Sequence, residues 1–488
     1  MDPNLEISLE TVKSRAVKGV LALTGRTLIL NIIALVAQGF LWAYLDEYQF
    51  GVFWIVSAVV NFLVYFSDIG LAAALIQKKE KVSEDDLRTT FTVQQGLVIV
   101  LLAVLLVLSP ILVRTQSLSS EGRTLLYALG FSFFLSSLKT IPSVLMERKL
   151  EFGKFILPQV LETFFYNIVV VYFAINGYGI ASFSYAVIVR GVVGLVSVYI
   201  LQPWMPKLGI KRKSLRELLR FGLPYQASSL LAVVKDDGVT IALGAILGPA
   251  GVGILGTAQR LAQYPLRFFM DNVTKVSFPA FSRMQDDRLQ LARAVTRSIF
   301  FICFFVFPSV VGLVVLAPVL VDVIPRYEKW RPALLPLMLI GVNSMFAAFT
   351  TQLTNMLDAI GKVKTRFKLM VMWSVLTLLF VPLLAYFSGV VGASVGYMLV
   401  GVSSVVAVYI AYKLVPFSLV DGVVKPLVAS GIMGGIIFAV RQMVPTSLVS
   451  FFVIVVVGCV CYAAASFLLV GPRLVDDVKR GIKAVLGR

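Results

Sequence analysis

Apolar residues fall along this chain in long blocks, each about the length of a helical membrane crossing and each closed by a short polar break. A helix needs about 20 predominantly apolar residues to cross a hydrocarbon core of about 30 Å. By that measure the pattern predicts fourteen crossings, near 19–45, 50–76, 89–113, 122–146, 154–176, 179–202, 222–247, 250–281, 298–323, 332–357, 368–387, 390–412, 424–444 and 448–470. The expected fold class is all-α, a polytopic membrane protein with 14 transmembrane helices. The seventh and eighth blocks stand apart because they carry many polar residues. The N-terminal stretch MDPNLEISLETVKSRAVK is polar and runs straight into a full-length block, so no cleavable signal peptide is read there.

The polar breaks set an orientation. Basic residues gather in alternate loops: Lys78, Lys79 and Lys81, then Arg148 and Lys149, then Lys211, Arg212 and Lys213. Further clusters are Arg283 and Arg288, then Lys362, Lys364 and Arg366, and finally Lys479, Arg480 and Lys483 in the tail. The intervening loops hold only Arg114, Arg123, Arg326, Lys329, Arg331 and Arg441. The positive-inside rule then places both termini in the cytoplasm of a cell (plasma) membrane, with Gly177, Ser388 and Thr446 outside. The outside loops are short, which leaves no room for an extramembrane catalytic domain.

The longest cytoplasmic connection divides the chain into halves that look related. Leu45–Phe53 (LDEYQFGVF) follows the first block, and 247–255 (LGPAGVGIL) follows the seventh, 202 residues later. The following blocks end near Asp68 and Asp271 respectively. The expected domains are an N-terminal lobe over 1–202 (six spans), an amphipathic linker over 203–221 and a C-terminal lobe over 222–412 (six spans). Two further spans over 413–470 and an amphipathic basic tail over 471–488 complete the chain. Two pseudo-symmetric six-helix lobes of this kind are a transporter plan, with the path between them. In the linker, Leu215, Leu218 and Leu219 on one face suit a helix lying in the membrane interface, and the tail repeats the pattern with Leu474, Val478, Ile482 and Val485.

Composition narrows the chemistry. Of the 488 residues, 58% are hydrophobic and 14% charged, too few charges to cover soluble domains. The formal charge of +18 is read as cytoplasmic-loop bias, with no nucleic-acid partner. Histidine is absent, which removes histidine metal sites, Ser-His and Cys-His nucleophiles and histidine proton relays. Cys303, Cys459 and Cys461 lie in apolar runs and read as small apolar side chains. No G-x-x-x-x-G-K-[ST] pattern occurs, so nucleotide hydrolysis is not the expected driving force. The expectation is a transporter and not an enzyme, with no cofactor and no metal.

Ionisable groups inside spans cost a few kcal/mol each and normally face a cavity or a partner. Twelve are read here: Arg26, Asp68, Lys139, Glu162, Arg190, Lys235, Asp236, Asp237, Arg260, Arg267, Asp271 and Lys275. Asp68, Lys139, Arg190 and Lys275 lie close enough to a span end to snorkel. In the eighth span Arg260, Tyr264, Arg267, Asp271 and Lys275 fall within about 80° of one another at 100° per residue. Pro265 interrupts that helix and predicts a bend beside the charges. Two readings stand: an internal Arg267–Asp271 pair with a structural role, or one wall of a hydrated cationic cavity. Arginines on converging helices suit a phosphate, because guanidinium stays ionised and binds oxyanions bidentately. The candidate substrate cations are Arg26, Lys235, Arg260, Arg267 and Lys275. The candidate coupling or gating residues are Glu162, Asp236, Asp237, Pro265 and Asp271. A coupling ion, Na+ or H+, would have to use those carboxylates.

The stretches FSDIGLAAALIQKKEKVSEDDLRTTF (66–91), MERKLEFGKF (146–155), DDGVTIALGAILGPAGVGILGTAQRLAQYPLRFFMDNVTKVSFPAFSRM (236–284) and YEKWRPALLPL (327–337) carry a resemblance. They are similar to Wzx-type polysaccharide (oligosaccharide repeat-unit) flippases of the multidrug/oligosaccharidyl-lipid/polysaccharide exporter superfamily. Where the family pattern has Asp-Arg after the first aspartate of the seventh span, this chain has Asp236-Asp237. The resemblance implies fourteen spans, alternating access, and carriage of an undecaprenyl-pyrophosphate-linked oligosaccharide from the cytoplasmic to the outer leaflet. The implied partners are that lipid-linked substrate, membrane lipids and the polysaccharide assembly machinery. Competing expectations are a flippase for the peptidoglycan precursor lipid II, a cation-coupled drug exporter, and a membrane polysaccharide polymerase or ligase. Seven basic intramembrane residues disfavour the drug exporter, and short outer loops disfavour the polymerase.

Overall fold

Helix starts in this chain are written in local side-chain chemistry. The Asp46 carboxylate accepts the Gln49 N–H at 2.8 Å, and the Gln49 side chain accepts the Asp46 N–H at 3.0 Å. Ser83 and Asp86 repeat this reciprocal cap at the next long helix. The computed structural model describes residues 29–149 and 151–471. Arg26 and the amphipathic tail over 472–488 lie outside the described residues.

Every regular element among the described residues is helical. They are α1 (Ile29–Tyr44), α2 (Glu47–Tyr65), α3 (Leu71–Gln77), α4 (Glu84–Thr115), α5 (Ser120–Leu138), α6 (Thr140–Arg148), α7 (Phe152–Ile175) and α8 (Ala181–Leu201). There follow α9 (Arg212–Val233), α10 (Val239–Arg283), α11 (Arg288–Val323), α12 (Leu334–Ala359), α13 (Val363–Val402), α14 (Val405–Leu414), α15 (Lys425–Met443) and α16 (Leu448–Val470). Ten segments among the described residues are long and apolar enough to cross a membrane, or eleven if α5 and α6, bent by 44°, form one span. The count falls below the fourteen read from the sequence partly because neighbouring blocks run together. Ser229–Met270 spans 42 residues and Val363–Leu414 spans 52, each about twice one crossing.

Backbone breaks divide both long segments. Gly248 has φ 68° and ψ 176° within α10, and Ser388 and Gly389 leave helical geometry within α13. At Ser388–Gly389 the chain doubles back. A β-carbon on Gly396 would stand 2.9 Å from the Val381 α-carbon, although fifteen residues of straight helix would separate them by about 22 Å. Pro265 keeps helical dihedrals, and the break at Gly248 falls at the boundary expected between the seventh and eighth spans, where glycine adopts a positive φ without a Cβ clash.

The chain forms two compact units, Met1–Gly253 and Ile254–Arg488. In the first, Leu71, Leu75, Leu87, Phe91, Ile141, Leu145 and Leu218 form a buried cluster, with Leu215 and Leu219 packed against it. The 203–221 connection is therefore not an interfacial helix throughout. Residues 203–211 are non-helical, and the apolar face of early α9 is covered by protein. The two related stretches meet inside this unit. A β-carbon on Gly51 would lie 1.6 Å from the Pro249 carbonyl oxygen, and one on Gly253 would lie 1.7 Å from the Glu47 carbonyl oxygen. Each glycine thus touches the residue four places before the other, the reciprocity of a two-fold contact. No residue larger than glycine fits either place.

The second unit is built around α11, whose Val295, Ile299, Ile302, Cys303, Val306 and Phe307 are buried against Leu353, Met356 and Leu357 of α12. Cys303 is a packing residue there, as its apolar setting implies. α4 and α16 bury only a minority of their side chains: Val107 is 75% exposed and Leu468 83%. An aqueous surface would not tolerate such faces, and lipid solvates them.

Candidate functional site

The motif around 66–91 builds a cap assembly in the first unit. Asp68 accepts the Ala72 N–H at 3.1 and 3.2 Å and opens α3, after a turn through Ile69 (φ 44°) and Gly70 (φ 78°). Gly70 also meets the Gly222 backbone, where a β-carbon would lie 2.2 Å from the Gly222 carbonyl oxygen. At the far end of α3, Arg148 of the 146–155 motif donates to the Leu75, Ile76, Lys78 and Glu80 carbonyls. It thereby satisfies carbonyls that a helix C-terminus leaves open. Lys78 bridges Asp86 at 3.0 Å and Glu217 at 3.5 Å. Burial alone would lower its pKa, but the hydrogen bond and charge of Asp86, with Glu217 behind, hold it above the ordinary lysine value. Asp68 is therefore a helix cap, and the motif ties α3, α4, α6 and α9 together.

A second polar centre gathers on α7, α8 and the α5–α6 bend. Glu162, 7% exposed, is ion-paired with Lys139, and the Arg190 Nε lies 3.7 Å from its other carboxylate oxygen. Gly194 makes the room: a β-carbon there would stand 2.2 Å from the Glu162 carboxylate. The Arg190 guanidinium also sits 6.0 Å over the Tyr166 ring. Lys139 and Arg190, expected as snorkelling cations, converge on one carboxylate. That arrangement pairs the buried carboxylate within the unit and leaves the more exposed Arg190 partly solvated.

Lys235, Asp236 and Asp237 lie in a π-helical turn, Val234–Gly238, between α9 and α10. The extra residue per turn shifts the register at three consecutive charges, and such bulges recur at functional sites. Lys235 pairs with its neighbour Asp236 at 2.9 Å, and Asn61 of α2 hydrogen-bonds Asp237.

The α10 stripe lies in the second unit. Ala258, Ala262, Leu266, Ser277 and Phe281 are buried on one side of the helix. Ser277 and Ser298 both donate to the Gln352 Oε1 at 2.8 Å, and Asn355 donates to Thr274 at 3.2 Å, fastening that side to α11 and α12. Arg260, Arg267 and Lys275 project from the other side and are exposed. Arg267 and Lys275 make no ion pair among the described residues. The Asp271 side chain lies outside the described residues, so the Arg267–Asp271 pair expected from the sequence does too. The structure thus gathers three of the five candidate cations on one helix, places Lys235 in the first unit, and leaves Arg26 undescribed. No cluster of metal-binding groups occurs among the described residues.

Sequence reading singled out Lys139, Glu162 and Arg190 as charges inside spans but missed that they pair with one another beside Gly194. It also missed the caps by Asp68 and Arg148, and the Gln352 bridge.

Comparison with known proteins now places the chain. It is 26% identical over 395 residues to the lipopolysaccharide biosynthesis protein WzxC of Escherichia coli (strain K12), covering 78% of each chain. It is 28% identical over 418 residues to an uncharacterised membrane protein in the cps region of Klebsiella pneumoniae, covering 81% of this chain and 80% of that one. Its fold matches the lipid II flippase MurJ in an inward closed conformation, with a TM-score of 0.75 at 17% identity over 92% of this chain and 98% of that one. A multidrug MATE transporter of the MOP superfamily, inward-facing, matches with a TM-score of 0.61 at 17% identity over 81% and 98%. The model of the polysaccharide biosynthesis protein family matches residues 44–335, more than half of the sequence. With its many apolar helices, the chain is a multi-pass membrane protein and belongs to the polysaccharide biosynthesis protein family.

Proposed function

We propose that this protein flips an undecaprenyl-pyrophosphate-linked oligosaccharide from the cytoplasmic to the outer leaflet of the plasma membrane by alternating access. The observation that carries the reading is the exposed row Arg260, Arg267 and Lys275 on a helix whose opposite side is fastened by Gln352. A cation facing lipid near the bilayer centre would cost about 3 kcal/mol on insertion scales, so the exposed Arg267 needs water or an anion in front of it. A pyrophosphate supplies that anion, and arginine holds it through paired N–H donors. Family membership supports an oligosaccharide cargo over a drug.

The same proposal keeps fourteen crossings with both termini cytoplasmic. The reversal at Ser388–Gly389 and the break at Gly248 each divide one long segment in two, α5 with α6 counts as one, and α1 completes the set. It also keeps the lobes over 1–202 and 222–412 and the terminal pair over 413–470. Coupling to Na+ or H+ would fall to Asp236, Asp237 or Asp271, because Glu162 is already paired with Lys139 and Arg190.

Complementation in a strain lacking the protein tests the stripe. Arg260→Ala and Arg267→Ala should each reduce polysaccharide export at least tenfold at normal membrane abundance, and lysine should restore only part of it. Normal export by both alanine variants would make the stripe structural and remove the argument for an anionic cargo.

A further inference from the structure

We propose that a second site, distinct from the α10 stripe, binds the headgroup of an anionic phospholipid. An open cavity of about 1250 Å³ lies in the second unit, walled by the last turns of α10, the first turns of α11, the segment 416–425 and Val470 at the end of α16. It exceeds the roughly 300–1,000 Å³ of drug-sized ligand pockets, which leaves space for a headgroup and the start of its chains. Its charged lining is Arg293, Arg297, Lys425 and Asp421, three cations to one carboxylate. Asp421 is held by Lys425 at 2.6 Å and by the Ser418 hydroxyl at 2.8 Å, and three cations against one carboxylate leave the wall with a net positive charge. The rest is largely apolar, including Val276, Phe301 and Val470.

The position along the helix argues for a lipid. α11 has 36 residues, about 54 Å of helix against a hydrocarbon core of about 30 Å, so its ends reach the headgroup layers. Arg293 and Arg297 lie one turn apart on the same face, within about 15 Å of the helix start at Arg288. The apolar residues begin immediately beyond them, at Ile299–Phe301. Two arginines at the headgroup level above an apolar wall match a phosphate with acyl chains attached. Basic pockets between membrane helices take such headgroups. The leaflet, cytoplasmic by the orientation proposed above, is the one part that rests on that reading.

The test uses the full-length protein in detergent, without any lipid-linked sugar, and reads retained lipid by native mass spectrometry. Wild type mixed with equal amounts of phosphatidylglycerol and phosphatidylcholine should retain phosphatidylglycerol preferentially. Arg293→Gln with Arg297→Gln should lower that retention at least tenfold, Arg293→Lys with Arg297→Lys should keep most of it, and Lys362→Gln with Lys364→Gln should leave it unchanged. Unchanged retention in the Arg→Gln pair, or equal retention of the two lipids by wild type, would overturn the proposal. So would complete displacement of the lipid by inorganic phosphate at tenfold excess, which would show a free-anion site. Because the readout is phospholipid binding, a failure here leaves the flipping assay intact and a flipping failure leaves this one intact.

Discussion

Glu162 separates a structural carboxylate from a coupling one, and the structure sets the size of the effect. Its side chain is 9% exposed and paired with Lys139, which is 19% exposed, while Arg190 is 55% exposed. Removing one partner of a buried pair costs about 3–5 kcal/mol, because the other charge is left uncompensated. Exposure of Arg190 reduces its share to below about 1 kcal/mol, and the partial exposure of Lys139 favours the low end of the range. Glu162→Gln, which keeps the volume beside Gly194, should therefore destabilise the protein by about 3 kcal/mol, roughly a hundredfold in the folded-to-unfolded ratio. Lys139→Met should cost a similar amount. The double variant should cost about 2 kcal/mol less than the sum, since the lone charge is gone. Reversible denaturant titration in micelles measures all three. Additive costs would refute the pair as a neutralising unit. A Glu162→Gln variant of normal stability that fails to flip substrate would assign this carboxylate to coupling instead.

Gly51→Ala and Gly253→Ala should have closely similar effects on stability and export, because each meets the other segment's carbonyl at under 2 Å; a strong effect of only one would break the reciprocity. Single cysteines at Gly177, Ser388 and Thr446, in a cysteine-free background, should react with an impermeant reagent in whole cells; protection at two or more would overturn the span order. Gln352→Leu should leave the Ser277 and Ser298 hydroxyls without their shared acceptor, costing about 1–3 kcal/mol in the same titration, and a neutral result would deny the bridge a role. Asp271→Asn should still bind substrate but flip it slowly, since Asp271 stands one turn from Arg267 and Lys275 in the helix; faster flipping would remove its role as a switch.

The helical class, the long apolar segments and the α10 stripe were legible in the sequence. Each follows from local quantities, namely the length of an apolar run and the 100° step of a helix. The stripe stood out because Ala258, Ala262 and Leu266 alternate with Arg260, Tyr264 and Arg267 at that period. What pairs with what was not legible. Lys139, Glu162 and Arg190 sit on separate elements, and only packing of α7 against α8, and of both against the α5–α6 bend, brings them together. Leu215 and Leu218 read equally well as facing lipid or protein, since both environments reward apolar side chains; the α3–α6 cluster decides for protein. The break at Gly248 was legible too, as the polar gap between the seventh and eighth apolar blocks, because a glycine reaches the positive φ such a break needs.

Purified protein in vesicles should expose an undecaprenyl-pyrophosphate-linked oligosaccharide, initially confined to one leaflet, to an impermeant lectin on the other side. The account predicts a rate at least tenfold above protein-free vesicles, lost in Arg260→Ala, with lipid II moved far more slowly. Equal or faster movement of lipid II, or no movement of the oligosaccharide lipid by active protein, would contradict it.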